Sequence, residues 1–505
     1  APSHPASAVP PYSGEIQTQD DGVATAAAVG AAVADELDEA LAAHFRTMER
    51  FLAAEAEIMQ AYLAPDVGQI HAMLGTVVES TPEALVCRRL LDPAEDLYLD
   101  DHRLGDALAV MPLTMSLALA AEAAVALVGG GVFTGLRDVR AHRWIAVEDE
   151  PPVLEVRARR LDDEDGLSRV RVELAVLDPS GRPPAAGPEV EATVLVGDGY
   201  PPPPPPLEVD AAQPSRFAPS DLYRDVMFHG RRWQGVAAIG GTGAEGVRAA
   251  MSVLPVGNFL ASGEIPSFVL DPVVLDAAGQ LVGFWTAEHL ERGRIVFPFK
   301  LQALDVYRAP LPPGTAVTGA ARVRLVGDQL TRSDIDVLDD RGGVWMRLTG
   351  WEDKRFDLPR ELDALVHAGR RDPMSSPWPA PVRALTRSGT RVECRRLRAD
   401  LGADAALWTR VWAQRVLTPT ERAELERRPL ATTRRLEALA ARTAAKEAVR
   451  QVLRRDHGRD VELLDIEITA DGNGRPIVGG VAVADLSEPP VVSMAHAGGI
   501  AVALA

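Results

Sequence analysis

Cysteine is almost absent from this chain: two in 505 residues, Cys87 and Cys394. Two cysteines cannot build a disulfide framework, and neither shows metal-ligand spacing, so a structural zinc site is not expected and a reducing, cytoplasmic setting fits. Basic residues are also in deficit, 53 Lys and Arg against 72 Asp and Glu, for a net charge of -19. Nucleic acid and anionic membrane surfaces would repel such a chain, so neither is expected as its main partner. Long apolar runs are missing as well. The greasiest stretch, Leu117 to Val128, falls short of the ~18 residues a membrane span needs and carries Glu122, which reads as a buried helix. The opening APSHPASAVPPYSGEIQTQDDG has neither a basic nor an apolar segment, so no secretory signal is expected. A start without Met and an abrupt end in IAVALA suggest a piece of a longer chain.

What is present is enough apolar content, 47%, to fill about three domains of roughly 150 residues each. Residues 1–64 read as a Pro/Ser/Ala-rich linker and a docking helix over 36–63, with helical spacing through Leu37, Leu41, Phe45, Met48 and Phe51. From Leu154 the period changes to two: Leu154, Val156 and Ala158, then Val170, Val172 and Leu174, then Val190, Ala192 and Val194 alternate with polar neighbours. That pattern predicts an antiparallel meander with one buried face. Pro201 to Pro206 then forms a stiff spacer. After it the first part repeats. PPVLEVRARRL at 151 matches PPGTAVTGAARV at 312, and VLDPSG at 176 matches VLDDRG at 337, both pairs offset by 161 residues. A similar offset lays VMPLTMSLALAAEAA (110–124) on DPVVLDAAGQLVGFW (271–285). A helix apolar on all sides must be wrapped. The expected fold is therefore α+β, a tandem (double) hot-dog with halves at 65–200 and 201–356, an N-terminal helical linker, a second linker at 357–384 and a C-terminal α+β region at 385–505.

The chemistry-bearing residues sit at the helix starts. A charged loop, LDDHRLGD, places His102 just ahead of the first apolar helix, while the second helix carries Asp276 four residues before Gln280, on one face. Alone, His102 reads as a solvated surface histidine. Asp276 is harder to explain as packing, because an unpaired buried carboxylate is costly. Together at the mouth of an apolar tunnel they suit loss of water from a 3-hydroxyacyl thioester. A neutral imidazole takes the α-proton, and a carboxylic acid kept protonated by desolvation gives its proton to the departing hydroxyl. Backbone N–H groups near the helix start at Pro112 are candidates to hold the enolate oxygen.

His102 with Gly105 and Pro112, FHGRRWQG at 228–235 and LDAAGQ at 275–280 resemble, in that order, the His-Gly-Pro, FHGPxFQ and LDxxxQ motifs of polyketide synthase dehydratase domains. The PLTMSLALAAEAA helix is most similar to the iterative enediyne and polyunsaturated-fatty-acid branch. The resemblance implies that His102 is the base and Asp276 the acid. It also implies that Gly105, Pro112, Tyr223, His229, Gly230 and Gln280 line the site or orient Asp276. For His229 a structural hydrogen-bonding role fits equally. The implied reaction turns 3-hydroxyacyl chains on an acyl carrier protein into trans-2-enoyl thioesters, with no cofactor, beside other synthase domains; a homodimer is compatible with it. Here two residues, Arg103 and Leu104, separate His and Gly where the family has three, and Arg231 and Trp233 replace its Pro and second Phe. A hot-dog thioesterase or product-shaping domain, and a non-catalytic scaffold that docks carrier protein, are the alternatives. Trp144, Trp285, Trp345 and Trp351 read as core or rim packing.

Two further segments invite a nucleotide reading. GGTGAEG (240–246) contains GxGxxG, but the next residues, VRAAMSVLP, reach Pro255 too soon for the required helix and alternate like a strand. A hairpin turn is expected there. The region 385–505 resembles the first half of a phosphopantetheinyl transferase. By that resemblance Arg475 and His496 would contact coenzyme A phosphates, and coenzyme A and Mg²⁺ would serve only if further sequence supplied the acidic segment. No transfer is expected from these residues alone, and Lys446 and Glu447 are expected to form a helix-surface ion pair.

Overall fold

The computed structural model describes residues 72–505 apart from 106, 292, 360–361, 363–372, 386–391 and 428–430. The helix expected over 36–63 lies outside the described residues. Alternation of apolar and polar side chains produces one antiparallel sheet of twelve strands. The first six are β1 (Thr76–Ser80), β2 (Ala84–Leu90), β3 (Val132–Ala141), β4 (Val153–Arg160), β5 (Ser168–Val176) and β6 (Val190–Gly197). The second six are β7 (Val236–Gly243), β8 (Gly246–Ser252), β9 (Arg294–Val306), β10 (Ala316–Val326), β11 (Leu330–Leu338) and β12 (Val344–Asp357). Their spatial order is β1-β2-β4-β5-β6-β3 followed by β9-β12-β11-β10-β8-β7. Read inward from either edge, the two halves have the same order. Strands opening at Thr76, Ala84, Val132, Val153 and Ser168 have counterparts opening at Val236, Gly246, Arg294, Ala316 and Leu330, offsets of 160 to 163 residues. The internal repeat is thus a structural one.

Each half wraps a helix. α1 (Leu113–Val128) packs on β4, β5 and β6, and α2 (Pro272–His289) packs on β8 and β10, with the two helices also touching each other. Every residue of α1 from Thr114 to Ala124 is buried, which is why that segment has no polar stripe. Its one charge, Glu122, accepts a hydrogen bond from the Val269 amide at 2.6 Å, and burial pushes the carboxyl up to about 7. α2 is started by Asp271, whose side chain accepts from the amides of Val273 and Val274 at 2.9 and 3.0 Å, with Pro272 in the first position. The halves meet where β3 pairs with β9, Leu136 opposite Leu304. This is the expected tandem hot-dog.

The GGTGAEG segment is the β7–β8 hairpin, with Gly243 opposite Gly246. Its glycines leave room for the spacer strap crossing above: a Cβ at Gly243 or Gly246 would collide with the Asp210 carbonyl. The strap is fastened by Leu207 N–H to Asp336 at 2.7 Å and by Arg347 to the Pro205 carbonyl at 2.7 Å.

A second apolar core collects residues from Leu358 to Ala503, with Leu104 and Leu108 from the first half. It is built from α3 (Ala405–Val416), α4 (Pro419–Arg427) and α5 (Thr432–His457). These pack with strands β13 (Ser376–Pro377), β14 (Cys394–Arg398), β15 (Glu467–Ala470), β16 (Pro476–Gly479), β17 (Ser493–Ala497) and β18 (Ile500–Leu504). Here one expectation fails. Lys446 and Glu447 are both buried, and they pair with other residues. Lys446 bonds Glu421 and the Val416 carbonyl, the latter at 2.7 Å, while Glu447 accepts from the amides of Met374 and Ser375 at 2.7 and 2.8 Å. A buried charge must be paired wherever its partner lies, and in both cases the nearest partners are distant in sequence.

Candidate active site

His102 enters a tight hairpin in which Arg103–Leu104 pairs with Leu108–Val110, and Leu108–Val110 pairs in turn with Ala146–Val147. Gly105 sits in the turn at φ +67°, a conformation side chains resist, so it shapes the backbone and does not line the cavity. The ring is fixed by Nδ1, 2.7 Å from the Val110 carbonyl oxygen. A carbonyl only accepts, so Nδ1 carries the proton and Nε2 is bare. Burial holds the ring's pKa down to about 4, against the smaller opposite pull of that hydrogen bond.

Asp276 stands in the first turns of α2. Its Oδ2 accepts from Gln280 Nε2 at 2.7 Å, the bond their four-residue spacing predicts, and its Oδ1 accepts from Thr114 Oγ1 on α1 at 3.3 Å. Thr114 and Asp276 are 162 residues apart, one more than the repeat offset, and meet where α1 touches α2. Gln280 is itself locked, donating to the Trp233 carbonyl at 2.8 Å and accepting from Tyr223 Oη at 2.7 Å. Tyr223 in turn accepts from the Val236 amide at 2.9 Å. Tyr223 therefore orients Gln280, which orients Asp276. The Asp276 side chain keeps 13% of its surface, facing the cavity, and burial pushes its carboxyl up to about 7, with the Gln280 and Thr114 bonds pulling the other way.

His229 completes the group. Its Nε2 is 3.3 Å from Asp276 Oδ2, its ring lies 5.1 Å from that of His102, and Phe228 stacks on it at 4.3 Å. Burial, and then the neighbouring His102, hold it well below the usual histidine range. Ligand atoms of His102, His229 and Asp276 all fall within 4.8 Å of one another. Two neutral rings are the form a dication binds, but a carboxyl whose proton is favoured by burial is not, and that combination suits proton traffic. Gly230 lies outside the cavity wall: its amide donates to the Asp101 carbonyl at 2.7 Å, and a Cβ there would strike the Asp101 side chain. Pro112 caps α1, behind the lining residues Met111 and Leu113.

The cavity runs along α2 past Asp276, Gly279, Gly283 and Ala287, one helical face of small residues. Met227, Phe228, Phe297 and Trp351 supply its apolar walls. Trp144 and Trp351 line it, whereas Trp285 and Trp345 are core residues. Thr114 and Asp353 join the site without a motif to mark them. The 161-residue offset maps Asp276 onto Met115, one position from Thr114. Asp353 has its signal in the period of two, which turns it to the same side as Trp351. Its carboxyl accepts from the Trp351 indole at 3.1 Å, and burial pushes it up to about 7. In the C-terminal region, exposed Arg475 closes the β15–β16 turn and His496 on β17 faces Glu437 at 3.4 Å, so the two lie in different sheets.

The raised carboxyl of Asp276 has a stability consequence. Its folded pKa exceeds the unfolded value of ~3.9, so its contribution is intact below ~pH 3.9 and is lost as pH rises through about 7. Asp276→Asn removes that loss. Thermal melts are expected to show the variant above the parent at pH 8, the gap closing toward pH 4; a gap independent of pH would refute the assignment.

A family model described as polyketide synthase dehydratase domain matches residues 71–174, and one described as polyketide synthase dehydratase N-terminal domain matches residues 201–363. Among solved structures, the dehydratase domain of the polyketide synthase PpsC from Mycobacterium tuberculosis is similar at 20% identity and a TM-score of 0.45, covering 57% of this chain and 100% of that one. The dehydratase domain from the CurF module of curacin polyketide synthase is similar at 16% identity and a TM-score of 0.45, with the same coverage. A holo-[acyl-carrier-protein] synthase from Geobacillus kaustophilus is 41% identical over 70 residues, 14% of this chain and 53% of that relative, so the chain spans about half its length. With two family models falling on the two halves that build the site, the chain belongs, through residues 71–174 and 201–363, to the polyketide synthase dehydratase family.

Proposed function

We propose that the chain removes water from 3-hydroxyacyl thioesters carried by an acyl carrier protein, His102 acting as base and Asp276 as acid. The observation that carries this reading is that His102 and Asp276 face one cavity with side-chain atoms within 4.8 Å of one another, where the same burial favours the neutral imidazole and the protonated carboxyl. Nε2 of His102 takes the α-proton, and the C–H electron pair moves toward the thioester carbonyl. The first-turn N–H groups of α1, after Pro112, face the developing enolate charge. The pair then returns to form the Cα–Cβ double bond, the C–O bond breaks, and Asp276 delivers its proton so that water leaves. A proton passed from His102 to Asp276 resets both groups. The apolar wall along α2 takes the acyl chain. The PLTMSLALAAEAA helix supports an iterative synthase as the setting, and coenzyme A and Mg²⁺ belong only to a completed C-terminal region.

The test is incubation of the protein with a 3-hydroxyacyl pantetheine thioester, followed by mass spectrometry. Loss of one water with the thioester intact is expected. Release of free acid would indicate a thioesterase, and an unchanged substrate would indicate a scaffold.

A further inference from the structure

We propose that the C-terminal region, α3 above all, is a positioning element for the dehydratase base: it clamps the hairpin that fixes His102. The inference rests on the dehydratase reading. Its main observation is the strand after His102. Leu108 is fully buried in the second core, Ala109 in the first, Val110 packs on the second and Met111 is buried in the first. The strand is therefore a partition between two cores, each claiming alternate side chains. Val110 is also the residue that holds His102 by a reciprocal pair of bonds. Its carbonyl accepts from Nδ1 at 2.7 Å, and its amide donates to the His102 carbonyl at 3.1 Å. α3 packs directly on this strand.

Further contacts reinforce the clamp. Trp408 of α3 donates its indole N–H to the Asp357 carbonyl at the end of β12, at 2.6 Å. Arg410 and Arg422 pair with Glu148 and Asp149, which directly follow the Ala146–Val147 strand that pairs with the partition strand. Trp144, Phe228 and Phe297, which wall the cavity, pack against the second core as well, and Phe228 is the ring stacked on His229. A region docked only at the periphery would leave the dehydratase complete without it. Here its removal would expose Leu108, one wall of the cavity and the strand that sets the ring of His102. Misplacement of a catalytic group by about 1 Å costs as much as 10²-fold in rate.

The test uses the whole 505-residue chain with two readouts, steady-state dehydration of a 3-hydroxyacyl pantetheine thioester and amide hydrogen exchange at Val110. Trp408→Ala is expected to lower kcat roughly 10- to 100-fold at nearly unchanged KM and to speed exchange at Val110 while the α1 and α2 amides stay protected. Trp408→Phe, which keeps a buried ring in the second core but loses the indole bond to Asp357, should restore most of both. Should Trp408→Ala fail to fold, Val411→Ala, a smaller cut on the same buried face of α3, carries both measurements. Unchanged kcat and unchanged Val110 exchange would overturn the proposal, as would a loss of kcat that Trp408→Phe does not recover. A parent chain without turnover would sink the dehydratase reading alone, since the exchange readout still decides whether α3 holds the hairpin.

Discussion

Asp276→Asn is expected to slow dehydration by ~10² or more while leaving KM close to that of the parent. Asn preserves the size of the side chain, can accept from Gln280 through its amide oxygen and can donate to Thr114, so both locking bonds have a counterpart. What it lacks is a transferable proton. The departing hydroxyl would then leave as hydroxide or draw its proton from water, and a positioned acid is worth ~10² to 10⁴ in rate. Single-turnover dehydration separates this loss from any change in product release. Parent-like turnover across the pH range would remove Asp276 from the acid role and shift that role to Tyr223 or His229, the latter with its Nε2 3.3 Å away.

His102→Ala is expected to do at least as much harm, because among the described residues of this site no other imidazole has its Nδ1–H fixed on a backbone carbonyl so that Nε2 is left bare. In the parent the rate should be bell-shaped in pH, and the two environments set the signs. The base works when neutral, so kcat/KM rises as pH passes about 4, the value to which burial lowers His102. The acid works when protonated, so kcat/KM falls as pH passes about 7, where burial raises Asp276. The plateau lies between these values. Asp276→Asn should erase the basic limb and keep the acidic one, and a basic limb that survives the substitution would belong to another group.

Much of this arrangement was legible in the residues themselves. The period of two located the strands, the 161-residue offset revealed the second half, and the four-residue spacing of Asp276 and Gln280 gave the bond between them. Local patterns do not report what lies opposite a side chain once the chain folds back. Gly105 and Gly230 look like substrate-facing residues in their motifs, yet one is a turn and the other makes room for Asp101. Lys446 and Glu447 look like a surface pair because they are adjacent and charged. Their burial depends on Glu421 and Ser375, 25 and 72 residues away, which no helical period encodes. The double duty of Leu108 to Met111 is hidden for the same reason: an evenly apolar stretch does not say that it separates two cores.

The pairing of β3 with β9 also bears on how the protein reaches its working state. Gly135 must find Asp305, 170 positions further along the chain, before the two halves can close on each other. Contacts of such long range are met late, since the entropy of closing the loop is lost before the contact repays it. Thr114 and Asp276, and His102 with them, come together only across that seam. On the proposed mechanism each half alone carries one of the two proton-handling groups, so catalytic competence would belong to the finished topology, and recovery of turnover during refolding would time the closing of the seam.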